Sequence, residues 1–88
     1  MIVDELKLET LISTGFDAKT IATIYRTLER ATHFTNLSDE SKKAVNAHIS
    51  FNELHILDDD IRELMSLGLS FNIWKYEDHI VVHLYKEE

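Results

Sequence analysis

Five histidines, His33, His48, His55, His79 and His83, offer the most chemical scope in an 88-residue chain that has no cysteine. Imidazole binds metals and exchanges protons near neutral pH, so spacing decides what these residues could do together. His79 and His83 stand four apart in a segment whose β-branched and aromatic composition is that of a strand. At ~3.3 Å per residue they lie about 13 Å apart, too far to share an ion held by bonds of about 2 Å. His48 and His55 are seven apart and would not meet on one helical turn. No metal site is expected from these pairs. The histidines read as satisfied or solvent-facing groups whose titration can tune an interface.

Other chemistry is also without a signature. The run Asp58-Asp59-Asp60 resembles half a cation site, but it lacks the glycine and distal glutamate of an EF-hand loop. A helix start explains it fully, because acids in a first turn meet the positive end of the helix dipole. The chain has no cysteine nucleophile, no Gly-x-Ser-x-Gly elbow, no phosphate-cradling glycine loop and no His-Glu-x-x-His. So small a core leaves little room for a deep pocket. No catalytic residue and no cofactor is expected.

Two surfaces remain. The first is basic. On a helix over 17–32, Lys19, Thr23, Arg26, Arg30 and His33 fall in one stripe at ~100° per residue. A solvated outer face is the ordinary account of such a stripe; a docking face for phosphate or an acidic protein is the sharper one. Leu11, Gly15, Phe16, Thr20, Ile21 and Ile24 carry part of the spacing of a helix-turn-helix. Leu11 stands where a small residue usually lets the helices approach, and Thr14 where an apolar one is common.

The second surface is aromatic. Residues 69–86 alternate as two strands about Glu77-Asp78, a turn that sets Trp74 opposite Val81 and Ile73 opposite Val82. One face then carries Leu69, Phe71, Ile73, Ile80, Val82 and Leu84, which is ordinary core. The other carries Trp74, Tyr76, Val81, His83 and Tyr85, with Ser70, Asn72 and His79 between them. Amphipathic aromatics of this kind are enriched where protein surfaces meet. The chain's own helices must cover this face, or a partner must. Glu77-Asp78 lacks the Asn-Gly chemistry of a type I′ turn, so a loop longer than two residues is expected.

The elements that position these residues follow from periodicity and punctuation. Asp4 and Glu5 open a helix over 3–13 that stops before Gly15. Asp17 caps the helix to about residue 32, whose buried stripe is Ile21, Ile24, Tyr25 and Leu28. Ser38, backed by Asp39 and Glu40, reads as the cap of a third helix to about residue 47. Residues 48–57 are ambiguous: Ile49 and Phe51 alternate as in a strand, while Val45, Ile49 and Ile56 share a helical face. A strand near 49–56 is preferred, because a lone hairpin is marginal. Asp58 caps a helix to about residue 67 that buries Ile61, Leu64, Met65 and Leu67 and ends at Gly68.

The expected fold is therefore a single α+β domain over 1–88, with three to four short helices followed by a small antiparallel sheet. At 44% hydrophobic and 28% charged residues the composition is globular rather than disordered. No apolar run approaches the ~20 residues of a membrane span, and the N-terminus lacks the pattern of a secretion signal. A cytoplasmic protein is expected, without membrane attachment, and the sequon Asn36-Leu37-Ser38 is read as chance.

The net charge of −7 is uneven: residues 45–88 hold nine acids against three bases. Long-range repulsion disfavours nucleic acid. Short, acidic, cysteine-free and without enzyme motifs, the chain resembles in general profile the small regulators and inhibitors, including those of phages and mobile elements. The leading expectation is a non-enzymatic adaptor, regulator or inhibitor. Its partner would be a protein, or a second copy of the chain, bound through Trp74, Tyr76, Val81, His83 and Tyr85. In one variant the acidic half mimics nucleic-acid charge. The alternative is a helix-turn-helix regulator docking through Lys19, Thr23, Arg26 and Arg30. For a small hydrolase or metal protein no site can be named.

Overall fold

A computed structural model describes residues 2–87. Helices α1 (Ile2–Ser13) and α2 (Ala18–Thr27) lead into strands β1 (His33–Asn36) and β2 (Lys42–Ser50). A 3-10 turn at Phe51–Glu53 and helix α3 (Asp58–Ser66) then precede β3 (Ser70–Tyr76) and β4 (His79–Glu87). The four strands form one antiparallel sheet in the order β1-β2-β4-β3. The class is α+β, with α3 inserted between the two halves of the sheet.

The C-terminal hairpin has the expected register, with Ile73 opposite Val82 and Trp74 opposite Val81. Its loop is shorter than expected. Tyr76 pairs with His79, which leaves a two-residue turn in which Glu77 takes φ 54°. A side chain in that left-handed region costs of order 1 kcal/mol, which the paired strands on either side offset.

The segment read as a third helix is instead the central strand β2. The residues taken as a cap close the β1–β2 turn: Asp39 Oδ1 accepts from the Ser41 and Lys42 N–H groups, and Ser38 Oγ accepts from the Ala44 N–H. A short side-chain oxygen does the same work in an Asx turn as in an N-cap. The strand expected near 49–56 is displaced accordingly, since β2 ends at Ser50 and the 3-10 turn follows.

Two helix boundaries also shift. Asp17 Oδ1 accepts from the Thr20 N–H and caps α2 as expected, but the helix ends at Thr27 rather than near residue 32. Lys7 closes that end from α1: its ammonium donates to the carbonyls of Glu29 and Ala31, at 2.7 and 3.1 Å. In α3, Asp58 is the first helical residue and Leu57 the cap, without a side-chain bond. Leu64 is buried, whereas Met65 faces solvent. Gly68, at φ 87°, ends the helix as expected.

All three helices pack on one side of the sheet. Leu11 of α1, Ile24 of α2 and Leu64 of α3 form one cluster with Val45, Ala47, Ile49, Ile80, Val82 and Leu84. In the register these strand residues pair as Val45–Leu84, Ala47–Val82 and Ile49–Ile80, so they share a face. Ala44 and Val81 are buried too, yet they stand outside that cluster. They belong to the opposite face.

Candidate binding surface: the open face of the sheet

The opposite face is built by register. One row across the sheet is His33, His48, Val81 and Trp74; the next is Thr35, Asn46, His83 and Asn72. Flanking rows hold Ser50, His79 and Tyr76 on one side, and Ala44, Tyr85 and Ser70 on the other. No helix among the described residues covers this side. Trp74 keeps 41% of its surface exposed and Tyr76 54%, while Val81, among the rings, keeps only 3%. The five residues expected to bind a partner, Trp74, Tyr76, Val81, His83 and Tyr85, thus lie on one face.

Four of the five histidines share it. His33 stacks on His48 with ring centroids 4.1 Å apart and planes 6° from parallel. His48 Nδ1 stands 3.2 Å from His79 Nε2, and Thr35 Oγ1 stands 3.1 Å from His48 Nε2. His79 Nδ1 lies 3.2 Å from Asp78 Oδ1, and His83 Nδ1 lies 2.8 Å from Asn46 Oδ1. His83 also packs between the rings of Trp74 and Tyr85. The contact between His48 and His79 was not foreseen, because it exists only once β2 is placed beside β4.

Protons are assigned by elimination. The His79 hydrogen bond holds Asp78 below its ordinary 3.8, so its carboxylate only accepts. His79 therefore carries a hydrogen on Nδ1, and a bare Nε2 accepts from His48 Nδ1–H. His48 Nε2 then accepts from the Thr35 hydroxyl. The chain runs Thr35 to His48 to His79 to Asp78.

Burial lowers the pKa of His48 below 6.5, and the neighbouring His33 and His79 lower it further. Burial and the Lys42 charge lower His83 likewise. The unfolded chain, titrating near 6.5, therefore takes up these protons first as pH falls, and acid favours unfolding. Stability is full above about pH 7 and declines as pH drops through 6.5 towards the lower folded values. A second decline follows below 3.8. There Asp17, held down by Thr20, Asp39, held down by Ser41, and Asp78, held down by His79, become protonated and lose the hydrogen bonds that favour their ionised forms. Urea midpoints measured against pH should show both steps, and a double His48→Gln, His83→Gln variant should lack the first. A wild-type midpoint that stays flat between about pH 7.5 and 5.5 contradicts this account.

The basic stripe is drawn into the fold. Arg26 donates to Asp60 and Glu63 of α3, at 3.0 and 2.6 Å, and Arg30 to Glu53 at 2.6 Å. Thr23 is buried and donates to the Lys19 carbonyl, with Glu63 at 3.4 Å, and His33 lies on the open sheet face. Lys19 is exposed. The acids of α3 and of the 3-10 turn thus neutralise most of what was read as a docking face.

A cavity of about 220 Å³ lies beside these pairs, lined by Thr27, Arg30, Ile49, His55 and Ile56 among others. Thr27 Oγ1 is buried there without a hydrogen-bond partner among the described residues. Its volume is below the ~300 Å³ at which small-molecule pockets begin. Among the described residues no set of three or more His, Cys, Asp or Glu converges on a metal position, and no helix is long and apolar enough to cross a membrane. The chain matches no family model, no curated protein and no solved structure.

Proposed function

We propose that this protein is a small acidic, non-enzymatic binding protein, an adaptor, regulator or inhibitor, that docks a protein partner through the open face of its sheet. One observation carries the reading. Three helices crowd one side of the sheet, while the other presents Trp74, Tyr76, His83 and Tyr85 around a buried Val81, with no element among the described residues over them. Sheets bury apolar faces where they can, and aromatic patches left outside mark contact surfaces. Charge fits a basic rim on the partner, because Glu77 and Asp78 project at the hairpin tip beside the aromatic rows and the chain carries −7.

The helix-turn-helix alternative has less support. Its two arginines are engaged by Asp60, Glu63 and Glu53, and phosphate would have to displace those carboxylates. The variant in which acids mimic nucleic-acid charge fares similarly, since two of the α3 acids face Arg26.

The test is capture of a partner from the native host, identified by mass spectrometry and then measured with purified proteins. Trp74→Ala is expected to stay folded, because the side chain is partly exposed on an edge strand. It should weaken binding by about 2 kcal/mol or more, roughly thirtyfold. Arg26→Ala should bind as wild type. The reverse pattern, with Arg26→Ala losing the partner and Trp74→Ala keeping it, would transfer the function to the helix face.

A further inference from the structure

The meeting of His48 and His79 can do more than hydrogen bond. These are side chains of adjacent strands, with His48 opposite Val81 and His79 opposite Ser50 in the register, and they converge head-on. We propose that His48 Nδ1 and His79 Nε2 form a two-histidine site for a borderline divalent transition metal, of which Zn²⁺ is the representative.

Geometry is the first reason. The two nitrogens stand 3.2 Å apart. Two Zn–N bonds of about 2.0–2.1 Å at a tetrahedral angle span about 3.3 Å between their nitrogens. The separation therefore suits one ion lying off the line that joins the nitrogens, and each ring turns in its own plane to aim its lone pair at it.

The second reason is the state of the donors. Asp78 holds a hydrogen of His79 on Nδ1, so the Nε2 facing His48 is the nitrogen left to ligate. A carboxylate behind a ligating imidazole orients the ring and raises its basicity. His48 needs only a change of tautomer. Its hydrogen leaves Nδ1 for Nε2, where the Thr35 oxygen turns from donor to acceptor. No net proton is gained or lost. Stacking against His33 holds the His48 ring in its plane.

The third reason is access. The face is open, so water can take the remaining coordination positions. No third protein ligand among the described residues completes the set, which makes this a partial site with positions free for a ligand from outside the chain. Imidazole suits Zn²⁺, Ni²⁺ and Cu²⁺, whereas Mg²⁺ and Ca²⁺ demand oxygen donors.

The experiment is titration of the folded chain with zinc chloride, followed by calorimetry and by nitrogen-15 spectra of the imidazole rings, with magnesium chloride as control. One Zn²⁺ per chain is expected, and the hydrogen of His48 should move from Nδ1 to Nε2 on binding. His48→Gln and His79→Gln should abolish saturable binding. Asp78→Asn, at a fully exposed turn position, should weaken it at least tenfold. His55→Gln and His83→Gln should leave it unchanged. If His79→Gln failed to fold, the Asp78→Asn result and the tautomer of His48 would decide. Absence of saturable binding, binding that survives His79→Gln, or a His48 hydrogen that stays on Nδ1 would each overturn the proposal.

Discussion

Leu84→Ala is expected to cost about 3–5 kcal/mol, while Tyr85→Ala, one residue along the same strand, costs no more than about 1–2 kcal/mol. Leu84 is fully buried, pairs with Val45 and Phe71 on the two neighbouring strands, and meets the helices. Removing its side chain opens a cavity at the centre of a small core. A domain of this size has roughly 4–13 kcal/mol to lose, at about 0.05–0.15 kcal/mol per residue, so Leu84→Ala leaves it near or past its folding limit. Tyr85 points to the open face, where it touches the His83 ring and is half-buried. Denaturant titration of the two variants separates the faces in one comparison. Equal losses would mean that something covers the aromatic side after all.

The second large effect concerns Lys7, whose side chain is only 7% exposed. Its ammonium donates to the Glu29 and Ala31 carbonyls beyond the end of α2, with Asp4 Oδ1 at 3.5 Å. Buried backbone carbonyls outside helices and strands need donors of their own. Lys7→Met keeps the aliphatic stem but leaves those two oxygens without the ammonium. A hydrogen bond to a charged group contributes about 1.5–3 kcal/mol, and an abandoned buried acceptor costs about as much. The expected loss is about 2–4 kcal/mol, read from urea midpoints. Lys19→Met, on the exposed surface of α2, should change stability by less than about 0.5 kcal/mol. A Lys7→Met protein as stable as wild type would show that water satisfies those carbonyls.

Some of this architecture was legible in the residues and some could not be. Alternation over 69–86 gave the hairpin register because a slip by one would have moved Ile80, Val82 and Leu84 to the wrong face. Gly15 and Gly68 marked helix ends because both adopt φ 87°, a conformation that other residues reach at a cost. β2 was missed for a physical reason. Its inward residues are Val45, Ala47 and Ile49, and alanine favours a helix wherever packing does not decide. Ser38-Asp39 reinforced the error, since the same oxygen chemistry starts helices and closes turns.

The candidate site divides in the same way. Trp74, Tyr76, Val81, His83 and Tyr85 share one hairpin, so two adjacent strands suffice to bring them together. The cluster of His33, His48 and His79 needs the registers of three strands, two of them unseen in the sequence. Lys7 was silent for a related reason: its partners lie more than twenty residues away, on carbonyls that carry no sequence signal.

The strand order has a consequence for how the chain matures. β4 lies between β2 and β3, yet it is the last of the four to leave the ribosome. Until residues 79–87 clear the exit tunnel, β2 lacks one of its two neighbours and β3 has none, and a two-stranded hairpin is marginal. Closing the sheet means bringing β4 back to β2 across the whole of α3, a long-range contact whose entropy must be met before any reward. During that interval the edge of β2 that β4 will occupy stays unpaired on the nascent chain. An excess of acids, as here, makes unfinished copies repel one another, which opposes pairing through that open edge.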